Sequence, residues 1–257
     1  MKNQVDINCD MGESYGDFKV GNDIKIMPHI TSANIACGFH AGDPLTIART
    51  VALAKKHRVA VGAHPAYPDI MGFGRRTMQL TYEEAKNYII YQVGALQGFA
   101  KAFGVSLQHV KPHGAMYNDA LKNRELSSAI TEAILALDTG LIVFAPPKSA
   151  LANTARDAGL RVAYEFFADR AYNPDGSLVS RKAAGAIIEE PEKVVERTVK
   201  AVKEGVVEAV DGSLVELGIV HTVCIHGDIP TASKLAKTLK RSLEKASIEV
   251  KPVSQFI

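Results

Sequence analysis

An alternation restricts the fold of this chain more than any other feature. Seven short apolar runs read as strands: Val5–Cys9, Ser32–Cys37, Val59–Ala63, His109–Lys111, Leu141–Ala145, Arg161–Phe166 and Thr222–Ile225. Helical patterns separate them. Asp43 caps a helix with Pro44 in its first turn and Ile47, Val51 and Ala54 on one face. Thr81 and Glu84 form a capping box that opens a long helix with Ile89, Val93 and Leu96 inward and Gly104 near its end. Leu126, Ile130, Ala133 and Leu137 share a further helical face, and a helix from Lys148 ends at Gly159. Pro191 starts a helix through Val195, Val199 and Val202 that stops near Gly205, and Leu235, Leu239 and Leu243 stripe the last one. Strand–helix alternation of this kind predicts parallel strands joined by right-handed crossovers. A seven-stranded (β/α) barrel and an open doubly wound sheet both satisfy it. At 257 residues the chain, 1–257, has a length that α/β barrels reach as a single domain.

Polar residues at the strand ends favour the barrel. The first strand runs VDINCDMGE and offers Asp6, Asn8, Asp10 and Glu13; the second gives CGFHAGD, with His40 and Asp43. GAHPAYPD follows with His64 and Asp69, then HVKPHGAMYN with His109, Lys111, His113 and Asn118. The fifth strand offers only Lys148, the sixth (EFFADRAY) Glu165, Asp169 and Arg170, and the last (CIHGD) His226 and Asp228. In a barrel these ends converge on one mouth, whereas an open sheet uses one switch point and leaves distant strand ends idle. His40, His64, His113 and His226 are therefore expected to line the mouth. Asp43 serves equally well as a helix cap, and Asp228, before Pro230, carries the same ambiguity. His57 belongs to a helix C-terminus, while His29, His109 and His221 read as structural. Asp6, between apolar neighbours, points into the barrel and needs a buried partner or a functional role. The segment Val206–Leu217, with Asp211-Gly212 at its turn, reads as a structural hairpin on the face opposite the mouth.

The charge balance, 30 basic against 28 acidic residues for a net +2, gives no stripe for nucleic acid. No apolar run reaches the roughly 18 residues of a membrane span, and MKNQVDINCD carries no secretory signal. The three cysteines, Cys9, Cys37 and Cys224, are far apart and contain no Cys-x-x-Cys, which suits a reducing, cytoplasmic compartment and small buried thiols. Loop cations at Arg75-Arg76 and Arg181-Lys182 read either as solvated loop charge or as groups over the mouth that hold a carboxylate or phosphate. Neither a P-loop nor Gly-x-Gly-x-x-Gly is present, so a nucleotide would be held in another way. Nor is there a His-Glu-x-x-His. A divalent ion on Asp10, His40, His64 and His113, with Glu13 beside them, would take its ligands from separate strands, which spacing does not test.

Six blocks, VDINCDMGESYG, SANIACGFHAGDP, GAHPAYPDIMGFGRR, VKPHGAMYN, EFFADRAYNPDGSLVSR and CIHGD, together resemble the 5-oxoprolinase A-subunit family, also called the LamB/YcsF or lactam-utilisation family, over essentially the whole chain. The resemblance implies a distorted, TIM-barrel-like barrel of the deacetylase-like kind. It also implies ATP-dependent opening of 5-oxo-L-proline to L-glutamate, with ATP as co-substrate and two partner subunits, B and C. On that expectation Asp10, Glu13, His40, His64, Lys111 and His113 are catalytic, and Asn8, Arg75, Arg76, Asn118, Arg170 and His226 bind substrate. Two other readings stay open: a metal-dependent amidohydrolase or deacetylase acting alone, and a non-catalytic component that captures a lactam.

Overall fold

The computed structural model describes residues 3–227 and 231–257; Asp228 therefore lies outside the described residues. The strands are β1 (Gln4–Met11), β2 (Ser32–Ala36), β3 (Ala60–His64), β4 (Leu107–Val110), β5 (Ile142–Ala145), β6 (Arg161–Phe167), β7 (Val206–Glu208), β8 (Leu214–Glu216), β9 (Thr222–Ile225) and β10 (Glu249–Val250). β1 to β6 and β9 pair in parallel, and β9 pairs with both β6 and β1, so the sheet closes into a seven-stranded barrel. β10 adds to the first residues of β1, outside the closure. The ladder between β3 and β4 shifts register between Val61 and Gly62. The helices are α1 (Asp23–Ile26), α2 (Pro44–His57), α3 (Tyr82–Ala102), α4 (Gly114–Asp119), α5 (Arg124–Leu137), α6 (Ala150–Asp157), α7 (Pro191–Glu204) and α8 (Ala232–Lys245). Among the described residues no helix is long and apolar enough to cross a membrane.

The caps form as the side chains dictate. Asp43 Oδ1 accepts from Thr46 N–H at 2.8 Å, and Thr81 and Glu84 satisfy each other's backbone at the start of α3. α6 begins after Ser149, whose hydroxyl accepts from Ala152 N–H, and not at Lys148, which takes a left-handed backbone with φ 63°. In α7 the deepest positions are Val194, Thr198 and Ala201; the expected Val195, Val199 and Val202 flank them, half-buried on the same broad apolar stripe.

The hairpin of β7 and β8 corrects an expectation. Val210 N–H donates to Tyr172 O at 2.9 Å and Lys148 pairs with Glu216, so the hairpin packs on loops that follow β6 and β5, on the mouth side. Leu217 and Gly218 both donate to Gly205 O, so the excursion starts and ends at one point.

β1 divides the interior from the outer layer. Val5, Ile7, Cys9 and Met11 join the main apolar core, while Asp6, Asn8 and Asp10 take the alternate positions and face inward. At the foot of β5 and β6, Ile142, Phe144 and Ala163 pack on Val253 of the C-terminal segment, and Ser254 bonds to Gln108 Oε1. Above this plug the interior is polar. Asp6 accepts from Thr31, Ser32 and Thr222; Asn8 donates to Glu165 and Thr222; Asn34 donates to Asn8 and Asp10. Gly62 leaves the room that His109 occupies, since a Cβ there would overlap the imidazole ring.

Candidate active site

A cavity of about 610 Å³ opens over the carboxyl ends of the barrel strands, within the size range of small-molecule sites. Asp10, Glu13, His64, Lys111, His113 and His226 lie on its wall, and Arg75, Arg170, Arg181 and Lys182 contribute from the loops. A second hollow of about 670 Å³, lined by Tyr67, Leu80, Tyr82 and Leu126 among others, lies to the side and contains none of these groups.

Lys111, one residue past β4, is 3% exposed. Its Nζ lies 2.9 Å from Glu165 Oε1 and 3.2 Å from both Asp10 Oδ1 and Asn8 Oδ1. Burial pulls its pKa down, but the Asp10 and Glu165 carboxylates outweigh that and hold the amine charged, well above the usual lysine range. Burial likewise pushes the Asp10 carboxyl up, and His64 and Lys111 overcome it, so Asp10 stays well below the usual carboxylate range. Glu165 is closed in from the other side by Tyr117 O–H, which donates to Oε2 at 2.5 Å.

Beside this pair stands an imidazole cluster. His40 stacks on His113 with ring centroids 3.8 Å apart, and His40 Nε2 is 3.2 Å from Glu13 Oε1. His113 Nδ1 is 2.9 Å from His64 Nε2, while His113 Nε2 faces Phe73 O and His64 Nδ1 faces Lys111 O. Burial and the neighbouring imidazoles push the pKa values of His40 and His113 well below the usual histidine value. Across the cavity His226 Nδ1 donates to Asp169, 2.9 and 2.8 Å from its two oxygens. That pairing orients the ring, with Nε2 as its other polar atom. Burial raises the Asp169 carboxyl, and His226 reverses the shift to below its usual value.

With this geometry in view, the model of the LamB/YcsF family matches residues 5–257. The chain belongs to the LamB/YcsF family. A protein from Pyrococcus abyssi, named as the A subunit of 5-oxoprolinase, is 55% identical over 254 residues, 99% of each chain. A crystal structure of a lactam utilization protein from Thermus thermophilus superposes with a TM-score of 0.91 at 48% identity, covering 96% of this chain and 99% of that one. A T48 deacetylase with substrate reaches a TM-score of 0.50 at 13% identity over 99% and 90% of the two chains, which places the LamB/YcsF barrel in the deacetylase-like fold and says nothing about chemistry.

The structure brings Asp10, Glu13, His40, His64, Lys111 and His113 into one connected group. Arg75, Asn118, Arg170 and His226 reach the cavity, but the Arg170 guanidinium also donates to Ala186 O and Val179 O and so ties down its own loop. Two expected substrate contacts are elsewhere. Asn8 is fully buried beneath Lys111, engaged with Glu165, Thr222 and Asn34. Arg76 turns away from the cavity and pairs with Asp69. His109 is structural as expected, bonded to Asn34 Oδ1 at 2.7 Å and stacked on Phe144. Sequence reasoning passed over Tyr117 and the closeness of Cys224 Sγ, 3.1 Å from Lys111 Nζ. Tyr117 was within reach: it lies four residues after His113, one helical turn further along.

Proposed function

We propose that this chain is the A subunit of an ATP-dependent 5-oxoprolinase, opening 5-oxo-L-proline to L-glutamate in the cytoplasm with partner subunits B and C. The observation that carries the reading is Lys111, held charged between Asp10 and Glu165 on the wall of a cavity that also carries Arg75, Arg170, Arg181 and Lys182. Such a cavity suits a small anion with a reacting carbonyl, and the names of the relatives supply the lactam. Guanidinium groups match carboxylate and phosphoryl oxygens well.

A five-membered lactam is a resonance-stabilised amide whose ring closure is favoured by the high effective concentration of its own amine and carboxyl. Opening it needs a drive. The γ-phosphoryl group of ATP moves to the amide oxygen, releasing ADP and leaving an electrophilic carbon. Water adds to that carbon and gives up a proton to His226 Nε2, with Asp169 stabilising the imidazolium. The C–N bond then breaks as the ring nitrogen takes a proton, leaving an acyl phosphate. A second water hydrolyses it to glutamate and phosphate. Lys111 keeps Asp10 ionised and adds positive potential where oxygen gains charge, while Glu13, His64 and His113 face the reacting carbonyl from the cavity wall.

The test is an assay of glutamate and ADP formation from 5-oxoproline and ATP, run on the chain alone and with subunits B and C. Glutamate is expected only from the complete mixture, and His226→Ala should lower its yield at least as far as loss of one acid–base group does, roughly 100-fold. Lactam hydrolysis by the chain alone without ATP, or full turnover by His226→Ala, refutes the reading.

A further inference from the structure

We propose that Glu13, His40, His64 and His113 form a binding site for a divalent transition-metal ion of the zinc class, with its open side on the cavity. This goes beyond the function proposed above and does not depend on it. One donor atom from each of the four buried residues lies within 4.8 Å of the other three. The hydrogen bonds behind the rings fix which atoms these are. Phe73 O lies 2.9 Å from His113 Nε2, and Lys111 O lies 2.7 Å from His64 Nδ1. A carbonyl oxygen only accepts, so both outer nitrogens carry hydrogen. In the neutral rings the inner nitrogens, His113 Nδ1 and His64 Nε2, are then lone pairs, and they stand 2.9 Å apart. Lone pairs at that distance repel unless a cation lies between them.

A proton on His64 Nε2 would satisfy that contact and the approach of Asp10 Oδ1 at 3.3 Å, and would leave Glu13 beside the two other imidazoles. Glu13 Oε1 lies 3.6 Å from His113 Nδ1 and 3.2 Å from His40 Nε2. Among the described residues the Nδ1 of the fully buried His40 has no hydrogen-bond partner, and Nε2 is the ring nitrogen that meets Glu13. A metal ion uses all four donors at once. Backbone carbonyls behind two of the imidazoles are the outer partners that orient metal-binding histidines. Three imidazoles and a carboxylate suit zinc and its first-row neighbours, whereas magnesium asks for oxygen ligands and water.

Packing holds the donors in place. Gly74, with φ 64°, lies so close that a Cβ there would come within 2.8 Å of both His113 and His40. Glu13, His64 and His113 also line the cavity, which leaves a bound ion one side open to water or a carbonyl oxygen. Asp10, a ligand candidate in the sequence, groups instead with Cys224 and His226.

The test uses the untagged full chain, stripped with chelator and dialysed against micromolar Zn²⁺ or, separately, Mg²⁺, with bound metal measured by mass spectrometry. One Zn²⁺ per chain and no retained Mg²⁺ is the expected result, unchanged in Cys224→Ser. Glu13→Gln and His113→Ala should each weaken Zn²⁺ binding by at least the roughly 10–100-fold seen on losing an outer partner. As a readout independent of whether a variant folds, Co²⁺ loaded into the wild-type chain should give the intense visible bands of a four-coordinate site. No zinc above background, full zinc retention by both ligand variants, or a weak six-coordinate cobalt spectrum overturns the proposal. Glutamate formation is scored separately, so a metal-free protein that still supports turnover refutes the metal and leaves the proposed function standing.

Discussion

Replacing Asp6 by asparagine isolates the cost of an ionised carboxylate sealed inside the barrel. Asp6 is fully buried; Oδ1 accepts the hydroxyls of Thr31 at 2.6 Å and Ser32 at 2.7 Å, and Oδ2 accepts that of Thr222 at 2.5 Å. Burial lifts its pKa from 3.8 to about 6, the three hydroxyls pull it back only in part, and the Glu165 charge adds to the rise. An acid whose folded pKa exceeds its unfolded one binds more protons when folded. Its stabilising contribution is complete below about pH 3.8 and lost as pH rises through about 6. The whole difference is about 3 kcal/mol, of which about 1.4 kcal/mol falls between pH 8 and pH 5. Asparagine does not titrate. It keeps the bonds from Thr31 and Ser32 and loses the one from Thr222, at about 1 kcal/mol. At pH 8 Asp6→Asn should therefore be more stable than the wild type by about 2 kcal/mol, and that advantage should shrink by about 1.4 kcal/mol on going to pH 5. Urea unfolding of both proteins across this range measures the difference directly, because groups common to both cancel. A difference that stays flat with pH, or that moves the other way, refutes the argument.

Lys111→Met should be severely destabilising, because Asp10 and Glu165 would face each other in the interior without their cation. Loss of one partner from a buried ion pair costs about 3–5 kcal/mol, and adding Glu165→Gln should recover part of it; an unchanged urea midpoint for the single variant contradicts the pairing. Gly62→Ala should lower the melting temperature, since its Cβ would overlap the His109 ring, which is backed by Phe144 at 3.9 Å. Overpacking of this kind costs about 1–3 kcal/mol, so a wild-type melting curve shows that His109 is free to move.

The barrel was legible because two periodicities agree in the sequence: apolar runs mark the strands, and polar residues follow them. In β1 the same alternation correctly turned Asp6 inward. Depth along a strand was harder to read. Asn8 shares a face with Asp10, but two residues of strand place it about 6.6 Å further down, under Lys111 and out of reach of the cavity. Arg76 was misplaced for another reason. Asp69, seven residues earlier, captures its guanidinium through a turn that folds on Gly72 and Gly74, and no spacing rule carries that geometry. Glu165, Tyr117 and Cys224 gain their significance only across the barrel, where β6, α4 and β9 bring them to Lys111 or to one another. Such neighbours are separated by tens of residues along the chain, and only closure makes them adjacent.

The interior also limits which group in the cavity can attack a carbonyl. Lys111 is held protonated by Asp10 and Glu165, so its amine lacks the lone pair that covalent lysine chemistry requires. Burial pushes the thiols of Cys9 and Cys224 well above their usual pKa, which removes the thiolate on which cysteine nucleophiles depend. Asp10 is ionised but accepts from Asn34 and Lys111 and lies 3.3 Å from His64 Nε2, which leaves little of its basicity unspent. His226 differs from all of these. Its Nδ1 is committed to Asp169, and its ring lines the cavity. Among the described residues the site offers an imidazole oriented by a carboxylate, a fixed cation and no activated side-chain nucleophile, and it is on that ground that hydrolysis, in preference to covalent transfer, is the chemistry proposed for this mouth.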